Sequence, residues 1–299
     1  MKKLVIVLSL LVLGIATTVG CGDSDSGSST PTFTKVTFLS NRTVAPATFL
    51  FTSNLDGTSV TPIPTTASIQ APDLLSMSAD SKSVVFLGFN PNDGIWISNT
   101  DGSGQKQVTT PGTPYWARIS PSGKKIVYSD TTAYHIQVIN PDGTGNQDLT
   151  ATLPAGMLGC YDPSFSADNS QIAFTCHGAA GWGIFTVKAD GTGLKTVEVR
   201  ANNASADYAW FTPDGKKILF IGSFPSSSPA VGSVNLDGTG ETLLAANANE
   251  LLILNSSLYY ENSCAPSAKI FKANLDGTNP VQITDGTNAD ALFSRFNCS

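Results

Sequence analysis

Histidine is almost missing from this chain: its 299 residues hold only His135 and His177. A three-imidazole metal centre therefore cannot form, and a lone strand histidine is ordinarily a packed or exposed side chain. No C-x-x-C occurs among the five cysteines, which excludes a dithiol redox site. No G-x-S-x-G occurs either, so the hydrolase nucleophile elbow is absent. Charge is sparse, at 13% Asp, Glu, Lys and Arg, and no basic run or aromatic–arginine patch marks a nucleic-acid contact. The abundant Gly, Ser, Thr, Asn and Pro favour many short strands joined by turns over long surface helices.

Long apolar runs are missing as well, with one exception. "MKK" precedes "LVIVLSLLVLGIATTV", 16 residues that are short for a membrane-spanning helix and suited to the apolar core of a signal peptide. "TTVGCG" follows and resembles the lipobox of bacterial lipoproteins, whose cysteine is lipidated and becomes the first mature residue. The match holds at Gly20 and Cys21 and departs at Thr18, where the family usually has Leu. The other reading is an ordinary secretory signal cut nearby, with Cys21 a plain thiol. Removing Lys2 and Lys3 with a 1–20 leader takes the net charge from −6 to about −8. Residues 21–33 include "GDSDSGSSTPT", which reads as a flexible tether. Gly22 stands where an Asp retains some lipoproteins at the inner membrane, so the outer membrane of a bacterial envelope is the expected address.

One small polar phrase recurs six times. Asp-Gly pairs begin at Asp56, Asp101, Asp142, Asp190, Asp237 and Asp276, spaced 45, 41, 48, 47 and 39 residues apart. Six residues before each Asp stands an aliphatic: Leu50, Ile95, Ile136, Ile184, Val231, Ile270. Two before it stands Asn, with Lys188 the exception, and two after it stands Thr or Ser without exception. Seven after it stands Ile63, Val108, Leu149, Val197, Leu244 or Ile283. Asp-Gly between apolar-alternating runs predicts a tight hairpin whose central residues reach positive φ. A calcium loop is excluded, because each turn offers a single acid and no closing Glu.

A second phrase interleaves with the first: "SADSKSVVF" (78–86), "SPSGKKIVY" (120–128), "SADNSQIAF" (166–174) and "TPDGKKILF" (212–220), with "LNSSLYY" (254–260) a shortened copy. Each is a turn followed by an aliphatic-x-aromatic strand. Two hairpins, hence four strands, in about 44 residues is the signature of a propeller blade. The chain opens on a second-strand sequence, "TKVTFLS" (34–40), and closes on a first-strand sequence, "ADALFSRF" (289–296). The expectation is an all-β, six-bladed propeller over 34–299, with one blade built from both termini so that no sheet edge stays open.

"TPDGKKILF…SVNLDGTGETLL" and its siblings resemble the propeller repeats of the TolB family, over nearly all of 34–299. No counterpart of that family's N-terminal α/β domain is present. The Asp-box of sialidase propellers, S-x-D-x-G-x-T-W, is absent, and the His-rich metal centre of the related pectate-type lyases cannot be assembled. In TolB-like blades the strand before the "SPDG" turn is innermost, and its first residues reach one mouth of the axial channel. The resemblance thus puts Asp73, Tyr115, Asp162, Asp207, Glu250 and Asp290 at that mouth. Five acids in a ring suit a cation, a basic peptide tail or a positively charged ligand, and crowding would raise some of their pKa values. The same position also suits an Asp that only accepts backbone N–H bonds. Trp96, Trp116, Trp182 and Trp210 read as inter-blade packing or as a sugar platform.

Four cysteines remain in an exported chain. Cys160 and Cys176 are equidistant from Asp168 at a hairpin tip and should face each other; Cys264 and Cys298 pair by exclusion. The expected function is a monomeric, membrane-anchored scaffold that binds an envelope protein or peptide through a propeller face, with no cofactor and no metal. The alternatives are a glycan- or peptide-processing enzyme using paired acids of the ring, and a small-ligand or cation sensor at the channel mouth.

Overall fold

The computed structural model describes residues 34–40, 49–54, 58–65, 75–88, 93–109, 114–153, 155–179, 181–200, 204–262 and 269–283. The first sheet is three-stranded, in the order β1 (Lys35–Ser40), β2 (Phe49–Asn54), β3 (Thr61–Ile63). The second runs β4 (Ser76–Met77), β5 (Ser83–Gly88), β6 (Gly94–Asn99), β7 (Lys106–Gln107). The third runs β8 (Pro114–Ile119), β9 (Ile126–Asp130), β10 (Ile136–Ile139), β11 (Gln147–Asp148). The fourth runs β12 (Met157–Phe165), β13 (Gln171–Gly178), β14 (Gly181–Lys188), β15 (Lys195–Arg200). The fifth runs β16 (Ala206–Phe211), β17 (Lys217–Phe224), β18 (Ser227–Asn235), β19 (Thr242–Ala246). The last runs β20 (Ala248–Leu254), β21 (Ser257–Asn262), β22 (Lys269–Asn274), β23 (Val281–Gln282). Every pairing is antiparallel between consecutive strands, so each sheet is a meander. First strands pack against one another from sheet to sheet, β4 on β8, β8 on β12 and β12 on β16, which makes them the inner strands of a propeller.

The described residues thus form five complete four-stranded blades, where the sequence pattern calls for six. In the sequence the Asp56 phrase lies between β2 and β3, whereas in a complete blade the same phrase lies between the third and fourth strands. These three strands hold the second to fourth places of a blade, and the sequence expected to supply the first, 289–296, lies outside the described residues.

The recurring phrase is a self-contained hydrogen-bonded unit. In 140–144, Gly143 N donates to Asn140 O at 2.9 Å and Asn140 N to Thr144 O at 3.0 Å. The Asp142 carboxylate accepts both Thr144 N (2.9 Å) and Thr144 Oγ1 (2.6 Å), and Asn140 Nδ2 donates to Thr144 Oγ1 at 3.0 Å. Each recurring polar column therefore has a partner inside the same five residues. Where Lys188 replaces Asn, the backbone bonds persist, Lys188 N to Thr192 O at 2.9 Å, and only the side-chain donor is lost. One expectation is corrected: the glycine alone reaches positive φ (+90° at Gly143), while the aspartate does not. The loop spans one residue more than a two-residue hairpin turn, so the aspartate can stay right-handed.

The apolar columns form the core. All six aliphatics at the sixth residue before the Asp are 0% exposed, which decides that they face inward in every repeat. Of the residues seven after it, Ile63, Val108, Leu149 and Val197 are buried, and Leu50 and Ile63 are cross-strand partners. The core clusters run between blades: Val127, Ile136 and Leu149 of one pack with Cys160, Ile172 and Phe174 of the next. Each such side chain contributes about 1.5–3 kcal/mol of apolar burial.

Candidate functional site

Because strands alternate in direction, the two repeated turns of each blade share one face of the propeller. The second-to-third loops and the links between blades share the other. The turn face is regular; the loop face carries everything that differs from blade to blade.

Of the expected channel-mouth residues, Tyr115, Asp162, Asp207 and Glu250 are described, while Asp73 and Asp290 lie outside the described residues. The inner strands carry a β-bulge that alters their frame. Before it, Tyr115 pairs with Ser129 and Asp207 with Ile221; after it, Arg118 pairs with Val127 and Trp210 with Leu219. On β12 the equivalent of Tyr115 is Tyr161, opposite Thr175, and Asp162 falls in the bulge itself, as Trp116 and Tyr208 do. All three bulge residues have positive φ: Trp116 +46°, Asp162 +51°, Tyr208 +56°. On β20 the register shift lies earlier, between Ala248 and Glu250, and Glu250 stands opposite Glu261 at the place of Tyr115 and Asp207, with both residues buried. Of these three acids and one tyrosine, Asp162 alone is out of the common register. Tyr115, Asp207 and Glu250 share a level with Tyr161, but Glu250 is 4% exposed, and Asp162, in the bulge, is 2% exposed.

The axis is bridged by side chains. The Arg118 guanidinium lies 4.3 Å from the centroid of the Trp210 ring. Arg118 is on β8 and Trp210 on β16, with β12 between them, so this cation–π contact crosses the channel. Neighbouring inner strands are tied by Ser164 Oγ to Ala209 O at 2.6 Å and Ile119 N to Ser76 Oγ at 3.1 Å.

Beside the mouth, aromatic rings run from β8 across β12 to β14. Tyr115 meets Trp116 edge-to-face at 4.1 Å, and Trp116 meets Tyr161 edge-to-face at 5.5 Å. Tyr161 also contacts Tyr134 at 5.5 Å and His177 at 5.2 Å, and His177 meets Trp182 edge-to-face at 5.3 Å. Tyr161 Oη lies 3.1 Å from His177 Nε2. Burial, and then the nearby Tyr134, push the Tyr161 hydroxyl above its ordinary pKa. Tyr115 is 40% and Tyr134 43% exposed, so the row reaches solvent. Within this row only the tryptophans and Tyr115 are singled out in the sequence; Tyr161 holds the repeat position of Tyr115, missed there in favour of its neighbour Asp162, while Tyr134 and His177 come from positions that carry no repeated signature. The four tryptophans are all partly buried against core clusters, which supports inter-blade packing.

The other histidine, His135, places Nδ1 at 2.7 Å from Asp148 Oδ2. Among the described residues no group of three or more His, Cys, Asp or Glu is placed to hold a metal ion. Arg200 is held by Glu198, Glu241 and the Ser223 carbonyl, with its guanidinium 5.0 Å from the Phe220 and Phe224 rings. Burial raises the Glu198 carboxyl above the usual range despite that arginine. Cys160 and Cys176 form the expected disulfide between cross-strand partners, with Cα atoms 4.0 Å apart; Cys264 and Cys298 lie outside the described residues.

No protein-family model matches this chain, and no curated protein matches it in sequence. Solved structures do match in fold. TolB from Acinetobacter baumannii superposes with a TM-score of 0.65 at 13% identity, covering 83% of this chain; the chain spans only 63% of that TolB. The nidogen/laminin complex matches with a TM-score of 0.61 at 13% identity, over 83% of this chain and 91% of that one. Oligogalacturonate lyase in complex with manganese matches with a TM-score of 0.59 at 12% identity, over 85% and 74%. At such identities the likeness is one of fold: the chain is an all-β propeller with four-stranded antiparallel blades, similar in architecture to TolB.

Proposed function

We propose that this protein is a binding scaffold of the bacterial envelope, held at the membrane by a lipid on Cys21 and engaging a protein or peptide through its loop face. The observation that carries this reading is the concentration of exposed aromatic surface on that face, beside a channel bridged by Arg118 and Trp210. Aromatic side chains that are half-exposed and rigidly seated are the residues that dominate protein interfaces. The fold-likeness to TolB and to the propeller of a nidogen/laminin complex agrees with a binding role. In the same reading, 289–296 completes a sixth blade with β1–β3, Cys264 pairs with Cys298 near that closure, and the propeller is a monomer in the outer membrane. The lyase neighbour keeps an enzyme reading in play at the level of fold alone.

Two experiments test the proposal. The first follows lipid incorporation and membrane fractionation of the full chain against Cys21→Ser; a variant that stays membrane-bound and labelled would remove the anchor. The second places a photo-crosslinking residue at Leu158 or Asp93 on the loop face and at Asp142 on the turn face, in living cells. One discrete adduct from the loop-face positions alone is expected. Adducts from the turn face only, or from neither, would overturn the reading.

A further inference from the structure

Resting on the lipid anchor of that reading, we infer that the turn face is the surface apposed to the lipid headgroups of the membrane that holds Cys21. The loop face is then presented away from that membrane. Two separate contacts show that the chain enters the propeller among the turns. Lys35, the first residue of β1, pairs with Asn54, the last of β2. Asn54 opens the recurring turn, its backbone N–H donating to Thr58 O at 2.9 Å. One residue before Lys35, Thr34 N donates to Ser81 Oγ at 3.4 Å and Thr34 Oγ1 to the same oxygen at 3.3 Å. Ser81 belongs to the first turn of the neighbouring blade, where its own N–H donates to Ser78 O at 2.9 Å. Thr34 is therefore flanked by one turn of each repeated kind, and both lie on the turn face.

Chain length decides what that entry point means. Cys21 precedes Thr34 by thirteen residues. A run of that length spans at most about 47 Å fully extended, and at a Gly/Ser-rich composition its root-mean-square reach is about 20 Å. With the turn face toward the membrane the smaller figure is enough, because Thr34 already lies on the near side. An inverted propeller asks for much more. The chain would first have to pass β2 and β3, which lie outside β1 in the sheet, a distance of about 10 Å at the usual strand spacing. It would then have to run the length of a blade, whose strands of 6, 8 and 9 residues in β16, β17 and β18 measure about 20–30 Å. Together these steps take about 30–40 Å, up to twice the root-mean-square reach, before any gap to the lipid is crossed.

Charge does not supply an alternative cause. The turn face mixes both signs, with Asp80, Asp142 and Asp214 standing among Lys82, Lys124 and Lys216. Such a face is not drawn to anionic lipid as a polybasic patch is, so the covalent tether sets the orientation. The side chains that differ between blades sit on the other face, with Tyr115 40%, Tyr134 43% and Leu158 67% exposed. A partner that meets them is reached from the aqueous side, about 20–30 Å beyond the turn face. A soluble or wall-held protein segment fits that geometry; the membrane-embedded part of a neighbour in the same bilayer does not.

The test is resonance energy transfer from the full-length, lipidated protein in vesicles of phosphatidylethanolamine and phosphatidylglycerol that carry a headgroup-linked acceptor. A fluorescent amino acid replaces Lys124 on the turn face or Leu158 on the loop face, both exposed. Lys216 and Asp93 form a second such pair, which preserves the comparison where one variant fails to fold. Transfer is expected to be at least about twofold more efficient from the turn-face member of each pair, given the 20–30 Å between the faces. High salt should leave that difference unchanged. An insertion of about forty Gly/Ser residues after Ser28 should remove most of it, because the longer chain reaches around either face. Equal transfer from both members, or more from the loop-face member, would overturn the inference. So would a difference that high salt abolishes or that survives the insertion, since adsorption and not the tether would then orient the propeller. If Cys21→Ser stays membrane-bound, the anchor and this inference fall together. If that variant is released and the two transfers are equal, the anchored scaffold stands and only its orientation falls.

Discussion

Replacing Gly143 with alanine asks whether the recurring turn glycines hold neighbouring blades together. Gly143 has a φ of +90°, and a Cβ built there would lie 2.8 Å from the carbonyl oxygen of Val108 in the preceding blade. Two costs follow. Alanine in the left-handed region costs roughly 1–2 kcal/mol. Relieving a backbone contact that close costs a further ~1–3 kcal/mol of displaced packing. The reduced freedom of the unfolded chain returns about 0.4–1 kcal/mol. Gly215 supplies the control, since its φ is +68° but a Cβ there would meet nothing within 4 Å. Gly215→Ala should therefore cost about 1 kcal/mol, and Gly143→Ala about 2–4 kcal/mol. In thermal terms the second change lowers Tm by roughly 5–10 °C at this chain length. Urea unfolding followed by tryptophan fluorescence measures both. Equal losses in the two variants would refute the argument, because the conformational term would then account for everything and the inter-blade contact for nothing. The same lock recurs at Gly277 against Leu244 O, so Gly277→Ala belongs with Gly143 rather than with Gly215.

Three further outcomes are expected. Hydroxyl donors Ser78, Ser166 and Thr212 hold the carboxyls of Asp80, Asp168 and Asp214 below the usual range. A lowered folded-state pKa contributes stability that is complete above the unfolded value and lost as pH falls through the folded one. Tm should therefore hold from neutral pH to about 5 and decline below about 4, with a shallower decline in the D80N/D168N/D214N triple variant. Removing the Cys160–Cys176 bridge as the double alanine variant should cost about 3 kcal/mol, from a link between residues 16 apart in sequence; an unchanged urea midpoint would deny the bond a stabilising role. Arg118→Met removes the contact with Trp210 across the axis and should shift the fluorescence of that ring at a loss of about 1–2 kcal/mol, whereas an unaltered spectrum would mean the ring is not covered by the guanidinium.

How much of the molecule is legible in its sequence follows from the range of each interaction. The Asn-x-Asp-Gly-Thr phrase satisfies its own donors and acceptors within five residues, so reading it locally is enough to place the hairpins. The aliphatic columns on either side have a fixed offset from that turn, and burial at Leu50, Ile95, Ile136, Ile184, Val231 and Ile270 follows from the two-residue period of a strand. Cys160 and Cys176 are legible for the same reason, since equal distance from a turn fixes the cross-strand partner. Even there, the φ of the turn aspartate departs from expectation, because loop length, not composition, sets it.

The channel mouth is legible only in part: Tyr115, Asp207 and Glu250 share one register, and Asp162 does not. A bulge in β8, β12 and β16 shifts the frame by one residue, and a shift of one exchanges the two faces of a strand. The bulge sits at the same place in all three strands, so Tyr161, five residues before Ser166 as Tyr115 is before Ser120 and Asp207 before Thr212, holds the mouth position and Asp162 falls in the bulge. Nothing in the local sequence records that bulge, because it serves the packing of inner strands against one another. The contacts that define the loop face are longer still in range: Arg118 with Trp210, and Tyr134 with Tyr161 and His177. Turn chemistry and strand period, acting between near neighbours, were settled by the sequence itself. Which side chains meet at the mouth was decided only when separate blades closed on one axis, where proximity comes from the fold and not from the chain.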